Sequence, residues 1–372
     1  MTVATKIKKT RAASIGDVAR MASTSITTVS NYLNGRPQRM GHSTIARVEA
    51  AIDRLGYRPN FAARQLKTGY APVLGLLVPT VANPFHGILA RHIEEAALIR
   101  GFQVVYGSTL RDPIREKRYA EDFWSFGIRG IIIGSSPLEL DHLGDLAARG
   151  LNIVVLDREA KPHEFAFSFD TVSMDNVRAG YLATRHLIDL GHRHIGYVSG
   201  ATPTASRRDR LDGYRQAMDD AGIHVDPSWI SSVPSASGYD DTNAADLGRL
   251  ITAELIEHDQ KLTGLVALND MYAIGACAAI RERGGGIPRD VSVVSIDDVL
   301  ASVVHPPLTA VHHPIESICV TAVERLVGRL QAKSDLPSQH VTIPPEVIVR
   351  RSTGAPRPHS APAFVGANGM FG

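Results

Sequence analysis

The chain has 372 residues, of which 44% are hydrophobic and 21% charged; this allows two or three globular domains and excludes a disordered or collagenous chain. Its net charge is only +2, but residues 1–70 carry twelve Lys and Arg against three Asp and Glu, a net +9, which leaves the remainder at −7. A basic head on an acidic body fits a nucleic-acid-binding module joined to something else.

Residues 1–13 are polar and basic and read as a disordered arm. From Ser14 the spacing predicts two short helices joined by a tight turn. Ser14 can cap the first, with Asp17 three residues on as a capping box. Ile15, Val18, Ala19 and Ala22 then form one apolar stripe. Ser23-Thr24 is the turn, and Ser25 can cap a second helix from Ile26 to Leu33. On a helical wheel Val29, Tyr32 and Leu33 share one side; Thr27, Thr28 and Asn31 lie opposite. A face of small polar side chains can approach base edges in a major groove, which is the helix-turn-helix arrangement. An ordinary helical hairpin with a solvated Ser/Thr face has the same pattern; the local positive charge favours the DNA-binding reading. A third helix is expected over 43–55, with Gly56 placed to end it.

YRPNFAARQLKTG follows, with Asn60 as a helix cap and about two turns from Phe61 to Leu66. So short a helix is marginal in water and forms only when something holds it. From Val73 the texture changes to apolar runs such as VLGLLVP, GIIIG, NIVVLD, HIGYVSG, GLVAL and VSVVSID, separated by amphipathic helices. Strand-helix alternation means parallel sheets in right-handed βαβ units, too many for one small sheet, so two doubly wound lobes are expected. The Pro-, Ala- and Gly-rich tail from Gly354 has no heptad pattern and reads as disordered.

In open α/β sheets a ligand lies beyond the carboxyl ends of the strands. Asp157 ends NIVVLD, Asp297 ends VSVVSID, Asn269-Asp270 follows GLVAL, and Arg210 opens a helix beyond HIGYVSG. Asp175-Asn176 and Asp298 are expected to serve as caps instead. No G-x-G-x-x-G follows the first strand, and neither a P-loop nor a G-x-S-x-G elbow is present, so no enzyme activity or cofactor is expected. His186, His192 and His194 lack a nearby cysteine and read as surface or capping groups rather than metal ligands. Cys277 and Cys319 are too few for a disulfide framework. No signal-peptide pattern follows the basic N-terminus, and no apolar run spans a bilayer, so a cytoplasmic location without membrane partners is expected.

Taken in order, IGDVARMASTSITTVSNYLNG, LGYRPNFAARQLKTG, NPF at 83–85, LDR at 156–158, GHRHIGYVSG, RLDGY, ALNDMYAIGA, IDD at 296–298 and PPLTAVHHP resemble the lactose-repressor/purine-repressor (LacI/GalR) family of bacterial transcription regulators. The resemblance runs from about Ser14 to Arg351. It implies an all-α helix-turn-helix headpiece (14–58), a hinge helix and linker (59–71) and a core like periplasmic binding proteins (72–353), before the tail (354–372). It implies a homodimer on near-palindromic operator DNA, acting as a repressor under a small effector. A sugar is the expected effector, with a nucleobase or nucleoside co-repressor as the alternative. Base-reading positions fall on Ile26, Thr27 and Asn31, of which Ile26 lies nearer the apolar side. Asn31 stands where many relatives have arginine, and Asn favours adenine where Arg favours guanine. Ser23 stands where glycine is common. Backbone contacts fall on Ser14, Ser25, Thr28, Ser30, Asn34, Asn60 and Arg64, and Leu66 matches the apolar wedge of the minor groove. Matching effector positions add Phe85, His86, Thr204 and Ser206 to Asp157, Arg210, Asn269, Asp270 and Asp297.

Overall fold

The computed structural model describes residues 13–33, 40–57, 70–158, 167–201, 204–231, 242–332, 334 and 336–358. It divides into two units, Met1–Pro72 and Val73–Gly372, each treated by itself below. Asn34, Asn60, Arg64 and Leu66, and with them the expected hinge helix, lie outside the described residues, as does the arm up to residue 12.

The first unit is built from α1 (Ile15–Met21), α2 (Ile26–Leu33) and α3 (His42–Leu55). The capping box forms: the Ser14 hydroxyl accepts from the Asp17 amide, and the Asp17 carboxylate accepts from the Ser14 amide. At the end of α1 the Thr24 amide reaches the Ala19 carbonyl at 3.0 Å and the Ser23 amide reaches Arg20 at 3.2 Å. That double closure needs a left-handed residue, and Ser23 supplies it at φ 50°, a conformation that favours glycine. Gly56 closes α3 in the same way at φ 56°. Val18, Ala19, Ala22, Val29, Val48 and Ala51 form the small core, with Tyr32 and Leu33 packed against it. Two side chains pin the helices together: the Tyr32 hydroxyl donates to Glu49 at 2.8 Å, and Arg47 Nε donates to the Ala22 carbonyl at 3.1 Å.

The second unit carries two six-stranded sheets. The first holds β1 (Val73–Val78), β2 (Gln103–Ser108), β3 (Gly130–Ile133), β4 (Asn152–Leu156), β5 (Asp170–Met174) and β11 (His340–Ile343) in the order β11-β5-β4-β3-β1-β2. The second holds β6 (Ile195–Val198), β7 (Ile230–Ser231), β8 (Gly264–Ala267), β9 (Ser292–Asp297), β10 (Thr309–His312) and β12 (Glu346–Ile348) in the order β12-β10-β9-β8-β6-β7. All pairings are parallel except β10 with β12. The helices α4 (Pro84–Ile99), α5 (Pro113–Ser125), α6 (Gly144–Ala148) and α11 (Ile315–Gln331) belong to the first lobe. To the second belong α7 (Asn176–Asp189), α8 (Ala205–Asp220), α9 (Ala244–His258) and α10 (Asp270–Glu282). The chain crosses between lobes three times, at 174–176, 312–315 and 343–346, so each sheet is completed by one strand from the C-terminal end of the core.

Five strands escape a hydrophobic-run reading. β5, DTVSM, is wholly buried although three of its five residues are polar, because Asp170 is paired with Arg325 and Arg329. β7, β10, β11 and β12 have only two to four residues each, too few to show a period. The tail is a second difference. Its first residues are tied down: the Gly354 amide donates to Ser292 Oγ at 3.1 Å, and Arg357 donates to the Gln260 carbonyl at 2.7 Å. A main chain running beside the end of a strand finds partners that composition does not disclose. His192 is likewise no surface group: it is 1% exposed, paired with Thr263 Oγ1 and the Gly354 carbonyl, each at 2.9 Å.

Candidate functional site

Each sheet reverses its strand order once, between β1 and β3 and between β6 and β8, and loops at such a reversal open a crevice. The carboxyl ends of these strands meet across one cavity of about 50 Å³, lined by Phe85, His86, Asp157, Thr204, Ser206, Arg210, Asn269 and Asp297. Eight of the nine sequence-derived effector positions are thus brought together. Asp270 is not: its carboxylate accepts from the Ser295 hydroxyl and from the amides of Val299 and Leu300, at 2.7 and 2.6 Å. It holds the β9–β10 connection to the start of α10, and Ser295 is its partner.

Arg210 is the most constrained group. Its Nε donates to Asn176 Oδ1 at 2.8 Å, and its Nη1 donates to the Leu268 carbonyl at 2.9 Å and to Asp297 Oδ1 at 3.2 Å. Asn176 therefore does more than start a helix: it orients the arginine. Asp175 does cap α7, accepting from the Arg178 amide at 2.8 Å, and Asp298 pairs with His312 and Arg350. Two glycines set the distance. A Cβ on Gly180 would lie 1.9 Å from the Arg210 carbonyl oxygen, and one on Gly213 would lie 1.9 Å from that of Val177. Only glycine lets α7 and α8 touch backbone to backbone, which brings Arg210 within reach of Asn176.

Across the cleft, Asp157 Oδ1 pairs with His313 Nε2 at 2.9 Å, at the second crossing between lobes. Phe85 stands edge-on to His86 and His313, with centroids 5.5 and 5.1 Å away. His86 Nδ1 lies 2.9 Å from the Thr80 carbonyl. The lobes also touch directly: the Ser206 amide donates to Ser136 Oγ at 3.0 Å and the Ala205 amide to the Ser136 carbonyl at 3.1 Å. Thr204 and Asn269 have cap duties as well, accepting from the Arg207 and Tyr272 amides. Non-glycine residues with left-handed φ cluster at these strand ends: Leu110 and Arg111 after β2, Ser136 after β3, Asp157 after β4, and Asp297 with Asp298. Strain of this kind persists where the surroundings over-determine it, as at binding sites.

The two carboxylates differ in acidity. Burial pushes the Asp297 carboxyl up to about 7; Asp270 and Asp157 add to the rise and Arg210 and His313 oppose it. Burial acts on Asp157 too, but the charge and hydrogen bond of His313, with Arg210 and the Met174 amide, outweigh it and hold this carboxyl below its ordinary range. The cavity is thus rich in donors and acceptors, with three arginines and two aspartates in its lining. Sequence reasoning missed Asn83, Arg111, Ser135, Ser136, Arg207 and Leu268, which also line it. Ser135-Ser136 directly follow GIIIG, so the strand-end rule could have found them; Arg111 and Arg207 carry no such marker.

On α2, Ile26 lies nearer the apolar side of the wheel yet is 55% exposed, beside exposed Thr27. Asn31, Thr28 and Ser30 are half-buried. The Ser25 hydroxyl accepts from the Thr28 amide at 3.0 Å, and Ser14 Oγ is already engaged with Asp17 at 2.7 Å. Among the described residues no cluster of three His, Cys, Asp or Glu is placed to hold a metal, and no helix is long and apolar enough to cross a membrane.

A three-helix head with an exposed small-residue helix, and a two-lobed core with a polar cleft, define a ligand-responsive DNA-binding protein. Residues 14–60 match the description "Bacterial regulatory proteins, lacI family", and 184–353 match "Periplasmic binding protein-like domain". The chain is 33% identical to the HTH-type transcriptional regulator DegA of Bacillus subtilis over 91% of its length and 97% of that protein's. It is 32% identical to the HTH-type transcriptional repressor PurR of Haemophilus influenzae, covering 91% and 98%. Among solved structures it superposes on the CelR–cellobiose complex (TM-score 0.67, 26% identity, 91% and 99% covered). It shares its fold with the lac repressor dimer bound to operator and the anti-inducer ONPF (TM-score 0.75, 24% identity, 93% and 100% covered). The chain belongs to the lacI family of bacterial regulatory proteins and is a transcriptional regulator.

Proposed function

We propose that this regulator is a repressor that binds a near-palindromic operator as a homodimer and is controlled by a sugar held between its lobes. One observation carries the effector reading: charged and hydroxyl-bearing groups of both lobes converge on one cavity. Carboxylates there accept and Arg and Asn donate, which matches a hydroxyl-rich ligand. The CelR structure contains cellobiose, and a lacI-family regulator of Enterococcus faecium, 28% identical with TM-score 0.64 over 77% of this chain and 100% of that one, contains ribose. A nucleobase is the second reading, favoured by the PurR relatives. Against it, the named aromatic wall is one phenyl ring, Phe85, set edge-on to two imidazoles.

In the DNA contact, Ile26, Thr27 and Asn31 read bases, Ser14, Ser25, Thr28, Ser30, Asn34, Asn60 and Arg64 meet the backbone, and Leu66 wedges into the minor groove. Exposure of Ile26 and Thr27 supports this; Ser14 would have to share a hydroxyl that already serves Asp17. Selecting bound sites from random DNA, then titrating the selected site in the presence of sugars or nucleobases, tests the reading. Paired half-sites whose occupancy a sugar changes are expected. A response to guanine or hypoxanthine and to no sugar would transfer the function to the second reading.

A further inference from the structure

The cleft lies at the carboxyl ends of the strands; the other end of the first sheet carries a separate basic group. β1, β3 and β4 are neighbours and all begin there, so Val73, Arg129 and Arg149 stand at or just before adjoining strand starts. The indole of Trp124, at the end of α5, gathers the two arginines: the Arg129 guanidinium lies 3.8 Å from the ring centroid and that of Arg149 5.2 Å. Arg129 Nη1 donates to the Trp124 and Ile128 carbonyls at 2.8 and 3.2 Å. Arg149 is exposed and its guanidinium makes no hydrogen bond, and neither arginine pairs with a carboxylate among the described residues. Arg100, Arg325 and Arg329, at the same end, are instead neutralised by Glu324 and Asp170. Burial and the charge of Arg149 lower the Arg129 pKa from its ordinary value, with no carboxylate to offset them. The mutual repulsion of the pair opposes folding, and an anion from outside would relieve it.

We propose that Arg129 and Arg149, gathered on Trp124, are a phosphate-binding contact through which the core itself grips the operator backbone. This rests on the operator reading above. Val73 ties this end of the core to the DNA through the chain: it stands seven residues after Leu66, the proposed wedge. Seven residues span at most about 25 Å, and Arg129 belongs to the strand beside β1, roughly 4.8 Å away. A duplex carries a phosphate charge about every 1.7 Å of its axis, so a duplex held at Leu66 brings many phosphates within this span. Residues 71–372 sum to −7 and repel a duplex elsewhere, which makes an unpaired basic pair at this end the point of approach. Planar guanidinium groups, pre-organised by stacking on an aromatic ring, match phosphate oxygens, and such a contact adds affinity without reading sequence. The tether decides between DNA and an acidic protein surface, since only DNA is already held at this distance.

The test is titration of the full-length protein against its selected operator, and against unrelated duplex, over a series of salt concentrations. Arg149→Gln should lower the slope of log affinity against log salt by about 1.8, which is 0.9 for each copy in the dimer, and weaken operator binding roughly tenfold. Arg129→Gln added to it should lower both further. The loss should be equal on operator and unrelated duplex, because phosphates carry no sequence. Arg149→Lys keeps the charge and should keep most of the slope; Arg215→Gln, which removes an exposed arginine of the second lobe, should keep all of it. A wild-type slope in the double variant, an equal fall in Arg215→Gln, or a lysine variant as defective as the glutamine one overturns the core contact while the operator reading stands. A wild-type protein that selects no paired half-sites overturns both.

Discussion

Asp297 and Arg210 are the residues on which the cleft turns, and their pairing depends on pH. The Asp297 carboxyl is raised by burial to about 7 in the folded protein, against about 3.9 for a free aspartate. The folded state therefore holds a proton that the unfolded state has released over that interval. Its stabilising contribution is complete below about pH 4 and is lost as pH rises through about 7. Asp157 runs the other way: its lowered carboxyl contributes above the ordinary carboxylate range, and that contribution is lost as pH falls through its folded value. Between pH 5 and 8 only Asp297 titrates of these two. Asp297→Asn should flatten the fall in thermal stability over this interval, read as melting temperature against pH beside the wild type. An equally steep fall in both proteins would place the titrating group elsewhere. Ser23 offers a second residue-scale test. Its left-handed φ of 50° is one that glycine adopts freely; Ser23→Gly should stabilise the headpiece by roughly 0.5–1 kcal/mol, the strain relieved less the added chain entropy. Chemical denaturation followed by a probe in the first 57 residues measures it, and a destabilised headpiece would refute the strain argument.

At the scale of elements, α7 and α8 show what a sequence pattern discloses and what it does not. Their existence follows from apolar spacing and from caps such as Asp175, as do the buried strands from runs such as VLGLLVP and GIIIG. Strand ends were informative for the same reason: Asp157, Asp297 and Asn269 lie where any doubly wound sheet presents its loops. Asp270 is adjacent to Asn269 and follows the same rule, yet its carboxylate is turned to the Val299 and Leu300 amides. Strand position locates a backbone and does not say where a side chain points. Arg111 and Arg207 were invisible because what brings them to the cleft is tertiary, and Gly180 and Gly213 were ordinary glycines until two helices met there. That contact makes a prediction. Gly180→Ala would set a methyl 1.9 Å from the Arg210 carbonyl oxygen, so the helices must part. Effector affinity should fall at least tenfold and stability by about 1–3 kcal/mol, as for other overpacked contacts. Calorimetry and denaturation of the variant check both, and unchanged effector binding would show that Arg210 does not depend on this contact.

For the whole molecule, regulation requires that effector and operator each bind one arrangement of the protein better than another. If the effector changes operator affinity by some factor, the operator must change effector affinity by the same factor, whichever direction the regulation takes. The contact to test for such a role is Ser136, which ties the lobes through the Ser206 and Ala205 amides at the start of α8. Ser136→Ala removes the acceptor for the Ser206 amide and the donor to the Asp157 carbonyl and keeps the main-chain contact, so it should weaken the tie between the lobes without removing a charge from the site. The expected result is a change of roughly three- to tenfold in effector affinity, of the size that losing the one inter-lobe side-chain hydrogen bond produces. Titrating effector with and without operator, and operator with and without effector, then gives two coupling factors for each protein. In wild type and variant alike the two must agree. If the variant alters effector affinity but leaves the coupling factor unchanged, Ser136 contributes to binding alone and the two-state element lies elsewhere in the core. If both change together, the contact between Ser136 and α8 is part of the switch.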